Sequence, residues 1–418
     1  MLSMNWTEEI NRLTAKLYRN CLAYGDDLPH PVGSPEGQYR SNGKGHWTDG
    51  FWPGLILLGY AHSKDEVMLA EYEKYIPFLE ERVKNDPGYL QATGYIGLDH
   101  DVGFQFHLTA VHHYLLTGSE ASRAVGLKAA EVLLGRFRRT EYSTYIRAWN
   151  DWDTDTPEFR REKEGKAIVD SLINIPLLFW AAHETGVAEY RQAAEAHAGQ
   201  LEQSIIRSDG STYHTFNFDP DTGRPLGGRT AQGYDHESTW SRGHSWAIYG
   251  FALAFRYTGN IVFRQAALRC LEYWNRSLLA QGDAPWDFAA PRDEYLPIDT
   301  SAMSIVCCGL LELHRQAPEE GEWLAQAKQL AERLLTAHRA PDLPHAHAFL
   351  LHGSVGPAYR KDSREEALRE YSNANQCVIY GDYFLYEALL RLQEGDKALL
   401  PWDFPAGNDR EATGASSL

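Results

Sequence analysis

Three stretches of this chain follow one plan. In HHYLLTGSEASRAVGLKAAEVLL, LLFWAAHETGVAEYRQAAEAHA and GFALAFRYTGNIVFRQAALRCLEYW, an apolar helix ends at Gly118, Gly186 or Gly259, and an amphipathic, alanine-rich helix follows. Looser copies surround Ser63 and Pro318, and the copies recur roughly every 55–75 residues. A helix that is apolar nearly all round must lie inside, and one with a single polar face must lie outside. Adding an opening helix from Trp6 to Tyr24 and a closing helix over 376–392 gives about six hairpins. This pattern predicts an all-α fold, an (α/α)6 barrel over residues 1–400, followed by a polar tail over 401–418. Two stretches, 211–219 and the segment around Tyr145 to Trp149, read as strands and are expected over the barrel mouth, where function concentrates.

Charge then narrows the partners. A formal net charge of −17 argues against nucleic acid and anionic membrane, both of which need a basic field. No segment approaches an uninterrupted membrane span, and the N-terminus lacks a basic start followed by an apolar run. The five cysteines have neither metal-type spacing nor an even disulfide framework, which fits a reducing, cytoplasmic setting. With 12 Trp and 23 Tyr the chain carries more rings than packing requires, and spare rings suit sugar faces.

The stretch AIVDSLINIPLLFWA, Ala167 to Ala181, reads as a buried helix headed by one carboxylate, Asp170. Burial leaves that group two uses, as a helix cap or as an acid with a raised pKa. Asp101, in LDHDVGFQFHL, heads a second inner helix, and capping is the competing reading there too. Inner-helix starts point at the barrel mouth, so the two carboxylates can share one cavity, as in glycosidases. Proximity would split their titration and leave one protonated near neutral pH. A second constellation lies in YHTF (213–216) and AQGYDHESTWSRGHSWAIYG (231–250), which supply His214, Gln232, Trp240, Arg242, His244 and Trp246. Arg242 and Trp246 are spaced to share one helix face, offering a fork for a sugar carboxylate and a ring for a sugar face. An arginine that only satisfies helix ends is the competing reading. Trp47, in WTDGFWPG, is either a binding ring at a helix mouth or a hydrophobic staple. No metal site and no cofactor is expected: His112 and His113 are adjacent and face different ways, and His345 and His347 lack carboxylate partners.

Taken in order, WTDGFWPG, DHDVGF, RAW, IVDSLINIPLLFWA, YHTFNFDP, STWSRGHSWAIYGFAL, WDFAAP, DTSAMSI and YGDYFLYEALLRL resemble the unsaturated glucuronyl hydrolases, glycoside hydrolase family 88, from about Trp47 to Leu392. The resemblance implies an (α/α)6 barrel that removes 4,5-unsaturated uronic acid from the non-reducing end of oligosaccharides left by polysaccharide lyases. It implies vinyl-ether hydration: an acid protonates C4, water adds at C5, and the hemiketal collapses. By position, Asp170 matches the catalytic acid/base and Asp101 the assisting aspartate. His100, Trp149, His214, Gln232, Arg242 and Trp246 match substrate-subsite positions, and Trp47 an aromatic near the entrance. The segment around 341–360 departs from the glycine-rich, basic pattern of the family. It is expected to shape the site for the leaving sugar, so the parent polysaccharide stays open.

The expected partner is therefore an unsaturated uronate-terminated oligosaccharide, bound by a monomer or weak homo-oligomer. Three other readings compete. An unsaturated rhamnogalacturonyl hydrolase would share barrel and chemistry, a sugar 2-epimerase would need histidine acid/base groups, and a silent uronate-binding barrel would need Asp170 to be only a cap.

Overall fold

The glycines between paired helices are each preceded by a threonine, and the pair builds the hairpin turn. In the computed structural model, which describes residues 4–41, 43–292, 296–356, 375–397 and 399–404, Gly118, Gly186 and Gly259 have φ of 73°, 71° and 67°. That left-handed conformation is one a residue with a Cβ resists. The hydroxyls of Thr117, Thr185 and Thr258 each donate to the carbonyl four residues back, of His113, Ala181 and Ala254. Each also accepts from the backbone N–H two residues on, of Ser119, Val187 and Asn260. The Ser63–Lys64 turn repeats the device with Lys64 in the glycine position at φ 55°.

These turns join α2 (Phe51–Ser63) to α3 (Glu66–Glu73), α7 (His112–Thr117) to α8 (Glu120–Leu134), α11 (Pro176–Thr185) to α12 (Ala188–Ile205), and α13 (Ser241–Thr258) to α14 (Ile261–Ser277). A longer turn joins α15 (Thr300–Gln316) to α16 (Trp323–Ala337), and the last helix, α17 (Ile379–Glu394), packs on α1 (Trp6–Tyr24). The inner members α2, α6 (Val102–Phe106) with α7, α10 (Ser171–Asn174) with α11, α13, α15 and α17 touch in that order and α17 returns to α2, closing the (α/α)6 ring. The outer helices bury one stripe each. In α8 this is Ser122, Val125, Gly126, Ala129, Ala130 and Leu133, small enough for the Trp180 indole to lie directly on Gly126.

Two inner helices depart from the sequence reading. The second is α6 (Val102–Phe106), which passes through a π-helical turn, His107–Val111, into α7. The third does not start at Ala167. Residues Lys166–Ile168 form β3, which pairs with β4 (Thr215–Phe218), and β4 pairs with β5 (Pro225–Arg229). The helix then runs as α10 (Ser171–Asn174) and α11, divided at Ile175 because Pro176 has no N–H to continue the ladder. A hairpin of β1 (Phe137–Arg139) and β2 (Thr144–Ile146) supplies the other predicted strand. Three short helices, α4 (Ile76–Arg82), α5 (Pro87–Thr93) and α9 (Pro157–Glu164), fill insertions.

At the end of the barrel away from the helix starts, the segment read as a tail begins by packing. Trp402 is buried, its indole donates to Glu387 at 3.1 Å and it stacks on His107, while Tyr257 donates to its carbonyl at 3.0 Å. Residues 405–418 of that segment lie outside the described residues, as do residues 357–360 of the divergent loop.

Inner helices α6 and α10 approach closely: a Cβ on Gly103 would lie 2.5 Å from Asn174 Cα and 2.7 Å from its carbonyl oxygen. Both obstacles are backbone. Gly103→Ala is expected to lower unfolding stability by about 1–3 kcal/mol in urea titrations. Gly199→Ala, in α12 with nothing within 4 Å of the added carbon, should be neutral or slightly stabilising.

Candidate active site

The α6–α10 contact places Asp101 and Asp170 side by side at the starts of adjacent inner helices. Neither side chain caps its helix, so the capping reading fails for both. Asn174, one turn after Asp170, holds the pair. Its amide donates to the Asp170 carbonyl at 3.0 Å and to Asp101 Oδ1 at 3.4 Å, and its oxygen accepts the Phe104 N–H at 2.7 Å. The start of α10 is fixed from behind by Ser171, which donates to the Ile168 carbonyl and accepts from His197 Nε2, whose Nδ1 accepts the Ile146 N–H.

A cavity of about 400 Å³ opens above these helix starts, lined among others by Asp170, Asp101, His100, Trp47, Trp149, Gln232 and Arg242. His214 sits against Asp170 behind the lining. β3 and β4 run side by side, Val169 N–H donates to the His214 carbonyl, and His214 Nε2 lies 3.7 Å from Asp170 Oδ2. His214 Nδ1 accepts the N–H groups of Ala231 and Gln232 at 3.0 and 3.3 Å. These bonds assign its proton to Nε2, facing Asp170. Burial, with Arg242 nearby, holds the His214 pKa well below the usual range, so the ring is neutral. Both facing atoms, Asp170 Oδ2 and His214 Nε2, are buried and have no hydrogen-bond partner among the described residues.

Burial raises the Asp170 pKa to about 7, against the opposing pull of Arg242, its own backbone N–H and a hydrogen bond from Trp246. Trp246 is 1% exposed, packs on Phe104 and Phe384, and stands behind the carboxylate. It is not among the cavity-lining residues, so it offers no sugar platform. Asp101 is pushed well above the ordinary carboxylate range, by burial first and then by Asp99 and Asp170. His100 Nδ1 lies 3.1 Å from the Ala148 carbonyl and donates to it, which leaves Nε2 as an acceptor 3.2 Å from Asp101 Oδ1. Burial also lowers the His100 pKa. The shared proton therefore rests on Asp101, which donates it to His100.

Arg242 faces the cavity but is heavily engaged. It pairs with Asp299 at 2.7 Å and donates to the carbonyls of Ser354 and Val355. Its guanidinium lies 4.4 Å from the Trp240 ring and 4.8 Å from that of Tyr380. Gln232 donates to the same Val355 carbonyl, so the described part of the divergent loop backs this wall. Trp47 stacks on Tyr380 at 5.4 Å, and Trp149 stands 6.5 Å from His214. His244 takes no part: it donates to the Cys270 carbonyl and meets Thr212 inside the barrel wall.

Sequence reasoning did not single out Asn174 or Tyr380. An asparagine four residues after Asp170 in an apolar helix was the available signal for the first, since a buried amide needs partners. Asp99, His100 and Asp101 have ligand-type atoms within 4.8 Å of one another. These residues are also engaged locally, Asp99 Oδ1 accepting the Asp101 N–H and His100 lying against the Ala148 carbonyl and Asp101.

Residues 33–263 match the model of Glycosyl Hydrolase Family 88. The chain belongs to that family. An unsaturated glucuronyl hydrolase of Bacillus sp. (strain GL1) is 34% identical over 395 residues, 93% of this chain and 97% of the relative. An unsaturated chondroitin disaccharide hydrolase of Streptococcus agalactiae serotype III (strain NEM316) is 31% identical over 92% of this chain and 90% of the relative. The crystal structure of the unsaturated glucuronyl hydrolase from Bacillus sp. GL1, described as responsible for glycosaminoglycan degradation, superposes with a TM-score of 0.83 at 33% identity, covering 95% of this chain and 99% of that one. The family 88 barrel is thus the scaffold on which this acidic pair is built.

A pKa raised by burial has a thermodynamic signature. Between about pH 4 and 7 the folded chain keeps the Asp170 proton that the unfolded chain has released, so this group's contribution to stability falls as pH rises through about 7 and is level beyond. Relative to Asp170→Asn, which does not titrate, the wild type should lose on the order of 4 kcal/mol across that window. Paired urea titrations at pH 5 and pH 8, roughly the two sides of that midpoint, span about two of those three pH units and should read on the order of 3 kcal/mol of it.

Proposed function

We propose that this glycoside hydrolase releases 4,5-unsaturated glucuronic acid from the non-reducing end of lyase-generated oligosaccharides, among them glycosaminoglycan fragments, by hydrating the C4=C5 vinyl ether. The observation that carries the reading is the Asp170–His214 pair: a carboxyl group poised near pH 7, with one oxygen held by Trp246 and the other open toward an unpartnered imidazole N–H.

Asp170 gives its proton to C4, and positive charge develops across C5 and the ring oxygen. The carboxylate left behind then takes a proton from the water that adds at C5, so one group serves as acid and then base. The C5 hemiketal opens to a ketone, the C1 hemiacetal bearing the leaving sugar collapses, and the saccharide departs with a free hydroxyl. Asp101, kept protonated by burial, adds no second negative charge beside Asp170, and Asn174 fixes the spacing between them. Neutral His214, behind the lining, turns its Nε2–H toward Asp170 without competing for the proton that Asp170 delivers. Arg242 supplies a fixed positive charge on the wall facing the uronate carboxylate; Asp299 and the loop carbonyls hold it there, and Gln232 and Trp149 frame the sugar. Five buried, unpaired cysteines support a reducing, intracellular setting.

Unsaturated disaccharides from chondroitin, hyaluronan and heparin should lose the ultraviolet absorbance of their conjugated enol ether when the enzyme is added. Asp170→Asn should slow that loss roughly 100- to 10,000-fold, and the wild-type rate should fall as pH rises above about 7, where Asp170 gives up its proton. Loss confined to a pectin-derived fragment would instead assign the rhamnogalacturonyl reaction. Unchanged absorbance on every substrate would refute hydration.

A further inference from the structure

The connection from Asn150 to Gly165, containing α9, forms an outer wall of the cavity and carries two rings that the mechanism does not use. Trp152 is 49% exposed and Phe159 is 42% exposed, and both line the cavity. Half-exposed large rings forfeit the free energy of burial, so something must hold them open. Here it is a pair of lysines. Lys163, 4% exposed, is ion-paired with Asp155 at 2.5 Å, and its ammonium lies 4.8 Å from the Phe159 ring and 5.8 Å from the Trp152 ring. Lys166 is paired with Glu162 at 2.6 Å and lies 5.8 Å from Phe159 and 5.3 Å from Trp149.

Rings and cations therefore alternate from the rim inward: Trp152, Lys163, Phe159, Lys166, Trp149. The inner end stands beside His214, at the position read here as the uronate site. Each lysine charge is neutralised by its carboxylate, so the wall attracts no anion strongly. What it offers is ring surface, continuous with the reaction site and backed by two buried lysines held in ion pairs. Pyranose C–H faces match that surface, and the sugars leading outward from the cleaved bond are the ones that lie along it.

We propose that Trp152 and Phe159 form a subsite for the leaving saccharide, reading the sugars beyond the cleaved bond, so that this enzyme favours unsaturated oligosaccharides longer than a disaccharide. The proposal rests on the hydrolase reading above.

The test compares kcat and KM of the full chain for an unsaturated hyaluronan tetrasaccharide, the corresponding disaccharide and the methyl glycoside of unsaturated glucuronic acid. Trp152→Ala and Phe159→Ala should each lower kcat/KM for the tetrasaccharide about five- to tenfold through KM. The methyl glycoside should be turned over at the wild-type rate, which also shows that the variants fold. Trp152→Phe should restore most of the tetrasaccharide KM. Wild-type preference for the tetrasaccharide that disappears in the variants supports the subsite. An active wild type with no preference for the tetrasaccharide, variants that keep that preference, or variants that lose the methyl glycoside equally, overturn it. A wild type inactive on all three would overturn the hydrolase reading itself, and the subsite with it.

Discussion

The site depends on taking one carboxyl group out of water and leaving half of it unsatisfied. Asp170 has an indole N–H on one side and, on the other, an imidazole N–H 3.7 Å away, too far for a hydrogen bond. An unpaired buried carboxylate is expensive, and the molecule's response is to keep the proton on it up to neutral pH. The surroundings follow from that constraint. His214 must be neutral and present N–H, which the backbone N–H groups of Ala231 and Gln232 enforce by occupying its other nitrogen. Asp101 must also stay neutral, and its own burial, with the Asp99 and Asp170 carboxyl groups near, provides for that.

The barrel makes such burial affordable by dividing the labour between its ends. At the far end charges are numerous but compensated: Arg391 meets Glu387 and Glu312, Arg256 meets Glu312, and Trp402 closes the network. At the mouth the helix starts are closed over by β3 and β4 and by the loop carbonyls that engage Arg242. Paired charges hold the far end together, while at the mouth Asp170 Oδ2 and His214 Nε2 face each other without a hydrogen-bond partner among the described residues.

Much of this was legible in the chain. Alternating fully apolar and one-faced helices, separated by glycine turns, can bury their surface only as a double ring. The heads of the inner helices therefore had to meet at one mouth, and Asp101 and Asp170 do meet there. What the sequence concealed were choices made by tertiary contacts. Ala167 and Ile168 look helical within an apolar run but pair with β4, and this pairing is what brings His214 beside Asp170. The Arg242–Trp246 spacing correctly predicted a shared helix, yet not that Asp299 would occupy the guanidinium or that Trp246 would face the carboxylate. A spacing rule locates a face; the neighbours decide what the face touches.

The central claim is that burial keeps Asp170 protonated to about neutral pH. Infrared difference spectra of wild type against Asp170→Asn, recorded across a pH titration, isolate the stretching band of that single carboxyl group. The account predicts a protonated-carboxyl band that disappears with a midpoint near pH 7. A midpoint near the ordinary aspartate value of about 4 would contradict it, and would leave the site without a proton to give at neutral pH.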